Sequence, residues 1–211
     1  MTTVTTRRQT RGDETRQAIL DAARDVFVCD GYEGASIRKV AQAAGYAHGT
    51  IYLHFRDKAD LLSQLSEEQF RLLLERLRAL PRSLDARARV AAALREFVRF
   101  GLDFPNHYHL MFSIRLPHLA HGDERRFGPM AEQVYSFLYD ALNTAAARGV
   151  LNPSDAHADT LALIAGVHGA IELHKSGVMR RRDAETTGER LVTLLLDGLA
   201  PARGNAERRD V

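Results

Sequence analysis

The glycines and prolines of this chain stand far apart, and the residues between them are helix formers. Only 15 Gly and 6 Pro punctuate 211 residues. Ala, Leu, Arg and Glu fill the intervals, and each loses little on entering a helix. Apolar side chains recur three and four residues apart, as in Ile19, Ala23 and Phe27, joined by Leu20 and Val26. That period gathers them on one helical face. Alternating β-branched runs are absent, so the fold class is all-α, with about nine helices.

The punctuation places those helices. One begins at Asp13 and stops at Gly31, which suits a left-handed cap. Ser36 caps a short helix whose face is Ile37, Val40, Ala41 and Ala44, and Gly45 halts it. A second short stretch runs from Ala47 to Phe55. Asp57 then caps a long helix carrying Leu61, Leu62, Leu65, Phe70, Leu73 and Leu77, ended by Pro81. Ser83 opens another, to Phe104, broken by Pro105; Asn106 to Ser113 forms a brief one. Residues 114–128, with Pro117, Gly122 and Gly128, read as a loop. Pro129 to Arg148, Pro153 to near Gly177, and Asp183 to Leu199 complete the series. The run Arg180-Arg181-Arg182 reads as a solvated turn. Helices are short before residue 57 and long after it. The domains expected are therefore a basic mobile arm (1–12), a first domain (13–57), a helical domain (58–200) and a tail (201–211). A piece of about 50 residues buries too little surface to stand alone, so the first domain is expected to dock on the fourth helix.

Composition removes other classes. With 45% hydrophobic residues the chain is not a disordered one. A lone Cys29 makes no intrachain disulfide and is expected as a small buried hydrophobe. The Met1 end lacks an apolar signal core, and no run approaches the roughly 18 apolar residues of a membrane span. A cytoplasmic globular protein without a membrane partner is the expectation. No nucleophile elbow, phosphate-binding glycine loop or HExxH pattern is present, so neither enzyme nor cofactor is expected. His118 and His121, and likewise His168 and Glu172, have spacings that allow chelation. Without cysteine spacing beside them, no metal site is assigned.

The formal charge is only +2, but it is unevenly placed. Arg7, Arg8 and Arg11 give the arm +3. Residues 13–33 hold six acids against Arg16 and Arg24. Between Ser36 and Lys58, four cations (Arg38, Lys39, Arg56, Lys58) face Asp57 alone, again +3. Two short helices joined by a glycine turn form a helix-turn-helix. Small Ala41 and Ala44 allow a close crossing, and Ile51 and Phe55 can pack back on Val40 and Phe27. The opposite face then displays His48, Thr50, Tyr52 and His54, hydrogen-bonding groups on an element thin enough for a major groove.

Here the chain resembles the TetR family of bacterial transcriptional regulators. The resemblance covers residues 13–62, through Phe27, Asp30-Gly31-Tyr32, Ser36-Ile37, Val40-Ala41, Ala44-Gly45, Gly49-Thr50-Ile51-Tyr52, His54-Phe55, Lys58 and Leu61-Leu62. It implies a homodimer that inserts one motif per subunit into successive major grooves of palindromic double-stranded DNA, an operator. It implies DNA contacts at Ser36, Arg38, Ala47, His48, Gly49, Thr50, Tyr52, His54 and Lys58. Among these, His48 and Thr50 would meet base edges, and Ser36, Tyr52, His54 and Lys58 would hold phosphate. Two departures matter: Ala47 stands where Ser or Thr is common, and His48 fills a variable position.

By the same resemblance the C-terminal helices hold a pocket for a small-molecule inducer, whose binding releases a repressor from DNA. Phe100, Phe104, Tyr108, Met111, Phe112, Met130, Phe137, His168 and Glu172 are the candidate ligand-binding residues, with helix-packing core as the plainer role for most. His107 and His109 are further polar candidates. The stretch Tyr108-His-Leu-Met-Phe112 with His168-Gly169 is similar to a subgroup bearing a Trp-His-Gly signature, although Val167 replaces the Trp. The dimer interface is expected on Asp155–Lys175 and Asp183–Leu199, through Leu161, Ile164, Val167 and Ile171 and through Leu191, Leu194, Leu195 and Leu199. The alternative is a helical metal- or ligand-binding protein with a vestigial motif.

Overall fold

The computed structural model describes residues 3–112 and 128–201, with side chains from residue 11 onward. Among the described residues there are nine helices: α1 (Thr3–Gly34), α2 (Ile37–Ala44), α3 (His48–Tyr52), α4 (Lys58–Arg78), α5 (Ala86–Asp103), α6 (Pro105–Phe112), α7 (Pro129–Ala147), α8 (Ala156–Lys175) and α9 (Arg181–Gly198). The loop expected at 114–128, with His118 and His121, lies outside the described residues except for Gly128. So does the tail after Pro201. No described helix is long and apolar enough to cross a membrane. Packing divides the chain into two compact units, Met1–Leu72 with Phe104–Glu132, and Leu73–Asp103 with Gln133–Val211. Helix length alone set the expected boundary at residue 57. Packing instead groups the start of α4, and α6, with the first helices.

In the first unit one buried apolar cluster joins five helices. It takes Ile19, Leu20, Ala23 and Phe27 from α1, Val40 and Ala41 from α2, and Ile51 from α3. Phe55 comes from the α3–α4 connection, Leu61, Leu62 and Leu65 add the start of α4, and Leu110 adds α6. The small N-terminal piece thus docks on the fourth helix, as its size requires. The segment expected as a separate arm is helical from Thr3 and continuous with α1. Once a helix is nucleated each further residue gains a hydrogen bond, and Gly12 alone does not stop it. Gly31, at φ 67 and ψ 179, breaks α1, and one more turn continues to Gly34. Cys29 is exposed, not buried. It lies two residues beyond Phe27, about 200° around the helix and so on the side opposite that buried ring.

Asp57 caps α4 as expected: its Oδ1 accepts from the Asp60 N–H at 2.8 Å. Asp60 reciprocates by accepting from the Arg56 N–H at 2.8 Å. Burial opposes ionisation of Asp60, yet hydrogen bonds from Gln64 and from Arg56 outweigh it and hold its carboxyl below the ordinary value. A second polar group sits where α1, α4 and α6 meet. Arg24 is ion-paired with Asp21 at 3.0 Å and with Glu68 at 3.8 Å. His107, half-buried, is pushed down by burial and by Arg24, with Asp21 opposing. Its Nδ1 has no hydrogen-bond partner.

In the second unit α5, α8 and α9 pack around Leu94, Phe97, Val167, Ile171, Val192 and Leu196. Glycines set the close approaches, two of them where α5 meets α8 and α9. A Cβ on Gly101 would lie 2.7 Å from Ile171, and one on Gly188 would lie 2.8 Å from Val98. Three arginine links tie α5 to α9 in antiparallel register. Arg87 meets Asp197 at 2.7 Å, Arg95 meets Glu189 at 2.6 Å, and Arg181 meets Asp103 at 2.5 Å. Helix starts depart from expectation twice. Asp85, not Ser83, caps α5, accepting from the Ala88 N–H at 2.7 Å. The α9 helix begins at Arg181, not Asp183, without a side-chain cap. Arg181 is no solvated turn residue, for it donates to the Leu102 carbonyl at 2.6 Å. The expected apolar faces of α8 and α9 also divide. Val167 and Ile171 are fully buried within the unit, whereas Leu161 and Leu194 are 39% and 49% exposed.

Two outcomes follow from this packing. Gly101→Ala overpacks a stiff, β-branched neighbour at a cost of about 1–3 kcal/mol, set against a helix-propensity gain of about 1 kcal/mol. A lower denaturant midpoint checks it. His107 resists protonation when folded, so the unfolded chain takes up a proton first as pH falls below 6.5. Its contribution to stability is full above that pH and is lost progressively below it. His107→Gln flattens the fall in stability between pH 7 and pH 5, measured by urea titration at each pH.

Candidate nucleic-acid interface

The helix-turn-helix is built by its caps. Ser36 is extended (φ −145, ψ 152), and its Oγ accepts from the Lys39 N–H at 3.2 Å. Gly45 at φ 72 and ψ 24 takes the left-handed conformation that closes α2. The Tyr46 N–H then donates to the Ala41 carbonyl at 3.0 Å. Ala47 starts α3 without a side-chain cap hydrogen bond, as the missing hydroxyl predicts. Only backbone bonds, such as Thr50 N–H to the Ala47 carbonyl at 2.9 Å, hold that first turn.

Ile51 and Phe55 are 0% and 1% exposed, which fixes the roll of α3. The other side faces out. His48 and Gly49 are exposed, Thr50 and His54 are partly exposed, and Tyr52 is 51% exposed. His48 and Tyr52, one turn apart, stack edge to face at 5.2 Å. A Cβ on Gly49 would meet open space, so the fold does not demand glycine there. Ser36 and Arg38 are exposed at the start of α2. The nine expected residues therefore lie within residues 36–58, and eight of them turn no cationic group onto a backbone carbonyl.

Lys58 is the exception. Its ammonium donates to the Tyr32 carbonyl at 2.7 Å and the Ala35 carbonyl at 3.2 Å. It also lies 4.1 Å from the centre of the Tyr32 ring. Two exposed side chains join this surface without having been expected from sequence, Tyr46 and Leu53 (82% exposed), beside the exposed cation Arg56. Leu53 was legible, since burying Ile51 and Phe55 turns the residue midway between them outward.

The nine ligand candidates are divided between the units. In the first, Tyr108 and Met111 are buried, Phe104 is partly exposed, and Phe112 contacts Tyr108 at 4.7 Å and Phe70 at 5.4 Å. Met130, partly buried, donates its N–H to Glu67 at 2.8 Å, so a carboxylate from α4 caps α7. In the second, Phe100 is core, and Arg89 lies over the Phe137 ring at 5.2 Å. Burial holds the His168 imidazole below its ordinary pKa, with Glu172 opposing. Glu172 itself pairs with Lys175 at 2.8 Å. A cleft of about 310 Å³ in this unit runs between α5 and α9, lined by Arg95, Val98, Arg99, Leu102, Arg181 and Glu185 among others. None of the nine candidates lines it. Among the described residues no three His, Cys, Asp or Glu side chains gather as a metal site.

The caps make a paired prediction. Ser36→Ala removes an N-cap and lowers stability by about 1 kcal/mol, whereas Ala47→Ser supplies the absent one and raises it by up to a similar amount. Thermal unfolding of both variants reads the opposite signs.

Comparisons with known proteins bear on this geometry. The chain is 48% identical over 54 residues to the HTH-type transcriptional regulator AcrR of Shigella flexneri, a stretch that is 26% of this chain and 25% of that protein. It is 42% identical over 59 residues to the fatty acid metabolism regulator protein of Bacillus subtilis, 28% of this chain and 30% of that one. The matched stretches thus span under a third of these relatives. Solved structures match along most of the chain. The fatty acid degradation regulator FadR of Bacillus halodurans has a TM-score of 0.73 at 21% identity, covering 86% of this chain and 94% of that one. FadR of Bacillus subtilis, in complex with stearoyl-CoA, has 0.68 at 19%, covering 86% and 98%. At such identities these likenesses show the fold alone. The family description "Bacterial regulatory proteins, tetR family" matches residues 19–65, and "Tetracyclin repressor-like, C-terminal domain" matches residues 90–199. With the second match alone spanning more than half of its length, the chain belongs to the tetR family of bacterial regulatory proteins.

Proposed function

We propose that this protein binds a palindromic operator in double-stranded DNA as a homodimer and represses transcription until a small-molecule inducer releases it. The observation that carries this is the outward side of α3. Its fold-facing side chains are buried, while His48, Thr50, Tyr52 and His54 are offered to solvent beside the exposed cations Arg38 and Arg56. His48 and Thr50 read base edges, while Ser36, Tyr52 and His54 hold phosphate. In the dimer the two α3 helices stand about one duplex turn apart, roughly 34–36 Å. The partner subunit covers Leu161 and Leu194, which a lone subunit leaves exposed. The inducer is a small molecule held by the C-terminal helices. It acts by fitting the DNA-incompetent arrangement better, which shifts the population. A cytoplasmic location goes with this role.

Fluorescence anisotropy on DNA taken from upstream of the gene tests the reading. Log affinity falls with log salt at a slope of about −0.9 per phosphate neutralised. Thr50→Ala and His48→Ala change the ranking of operator variants, whereas Tyr52→Phe weakens all of them alike. A flat salt response, or equal affinity for random DNA, overturns the proposal. Light scattering that shows a monomer at micromolar concentration overturns the dimer. Stearoyl-CoA is the first inducer probe, since a solved structure of the same fold holds it.

A further inference from the structure

The chain contains 26 arginines but only three lysines, and two of these, Lys39 and Lys58, lie in the helix-turn-helix segment. Both ammonium groups turn onto the same short piece of backbone. Lys58 Nζ donates to the carbonyls of Tyr32 (2.7 Å) and Ala35 (3.2 Å) and sits against the Tyr32 ring. Lys39 Nζ donates to the Gly34 carbonyl at 2.9 Å and to Asp30 Oδ2 at 2.6 Å. These carbonyls follow Gly31, where α1 breaks, and the last carbonyls of a helix lack intrahelical donors. Each must find a donor elsewhere, and the two lysines supply one.

The residue type matters. An ammonium is a compact point charge with three N–H donors that can reach carbonyls on separate residues at once. A guanidinium is a flat fork, suited to a planar carboxylate or phosphate. Two of the three lysines in a chain that otherwise uses arginine stand at this one connection, and the Lys58 ammonium there meets the carbonyls of two residues. Arg38 faces solvent, and Arg56, with 86% of its side chain exposed, touches the fold through Asp60 at 3.6 Å.

We propose that Lys39 and Lys58 are positioning residues, not phosphate anchors. They cap the end of α1 and fix the Tyr32–Ala35 connection, and so set where Ser36, α2 and α3 stand. Lys58, the more buried of the two, carries the larger part. The electrostatic grip on phosphate comes from Arg38 and Arg56, a division of labour that rests on the DNA-binding reading above. It replaces the phosphate role that family resemblance implies for Lys58.

The test uses the full-length protein and the variants Lys58→Met, Lys58→Arg, Lys39→Met and Arg38→Ala, with helix content checked by circular dichroism. Amide hydrogen exchange of residues 36–41 is followed without DNA, and affinity for an upstream DNA fragment is followed against salt. The positioning role predicts at least tenfold faster exchange in Lys58→Met and Lys58→Arg alike. Both weaken DNA binding while the salt slope stays at the wild-type value. Arg38→Ala does the reverse: exchange is unchanged, and the slope falls by about 0.9 for each phosphate that the variant no longer neutralises. Full affinity in Lys58→Arg, together with a reduced slope in Lys58→Met, makes Lys58 a phosphate anchor and overturns the proposal. So does unchanged exchange in Lys58→Met. Should that variant not fold, Lys58→Arg and Lys39→Met decide by the same readouts. If the wild-type protein binds no DNA, the functional reading fails, while the exchange measurement still decides whether the lysines hold the connection.

Discussion

The burial of Ile51 and Phe55 is the interaction on which the rest of the DNA-binding motif depends. The α3 helix has five residues, far fewer than an isolated helix needs to persist in water. Its first turn has no side-chain cap, so neither propensity nor capping supports it. What holds it is a share in an apolar cluster to which α1, α2, α4 and α6 all contribute. The same two side chains fix its roll, and the roll decides which residues face outward. Folding and presentation are therefore one event here.

The second unit solves a different problem. Its helices are long enough to pack in the ordinary way, and its difficulty is close approach. Gly101 and Gly188 remove side chains where α5 meets α8 and α9, and the arginine links then hold α5 and α9 in register. Exposed ion pairs contribute little each. They select one alignment of the two helices more than they stabilise it.

Much of this was legible from the residues. Ser36 and Asp57 declared their helices because a short oxygen-bearing side chain before an apolar period has one economical use. Gly45 marked a stop, and it has positive φ. The helix-turn-helix residues were readable because two buried positions four apart leave the rest of a short helix no choice of side. What escaped were features set by tertiary packing. Arg181 opens α9 because a carbonyl and a carboxylate of α5 await it, and nothing local signals that. Cys29 was misplaced because its composition class is usually buried, although its spacing from Phe27 already turned it outward. Lys58 matched a motif by type and position, while its actual partners lie 23 and 26 residues earlier in the chain. The ligand candidates were chosen for being aromatic or polar on helices, a criterion that core packing meets equally well.

The uncapped start of α3 has a consequence for how such a protein can change over generations. Because the helix is held from behind, Gly49 and Thr50 contribute little to its persistence, and His48 and Tyr52 contribute only through their contact with each other. On the DNA-binding reading proposed above, mutations at these positions alter which sequence is read at little cost to the fold. The scaffold and the text-reading surface are thus separable in inheritance, and after gene duplication a copy can drift to a new binding site while remaining folded throughout.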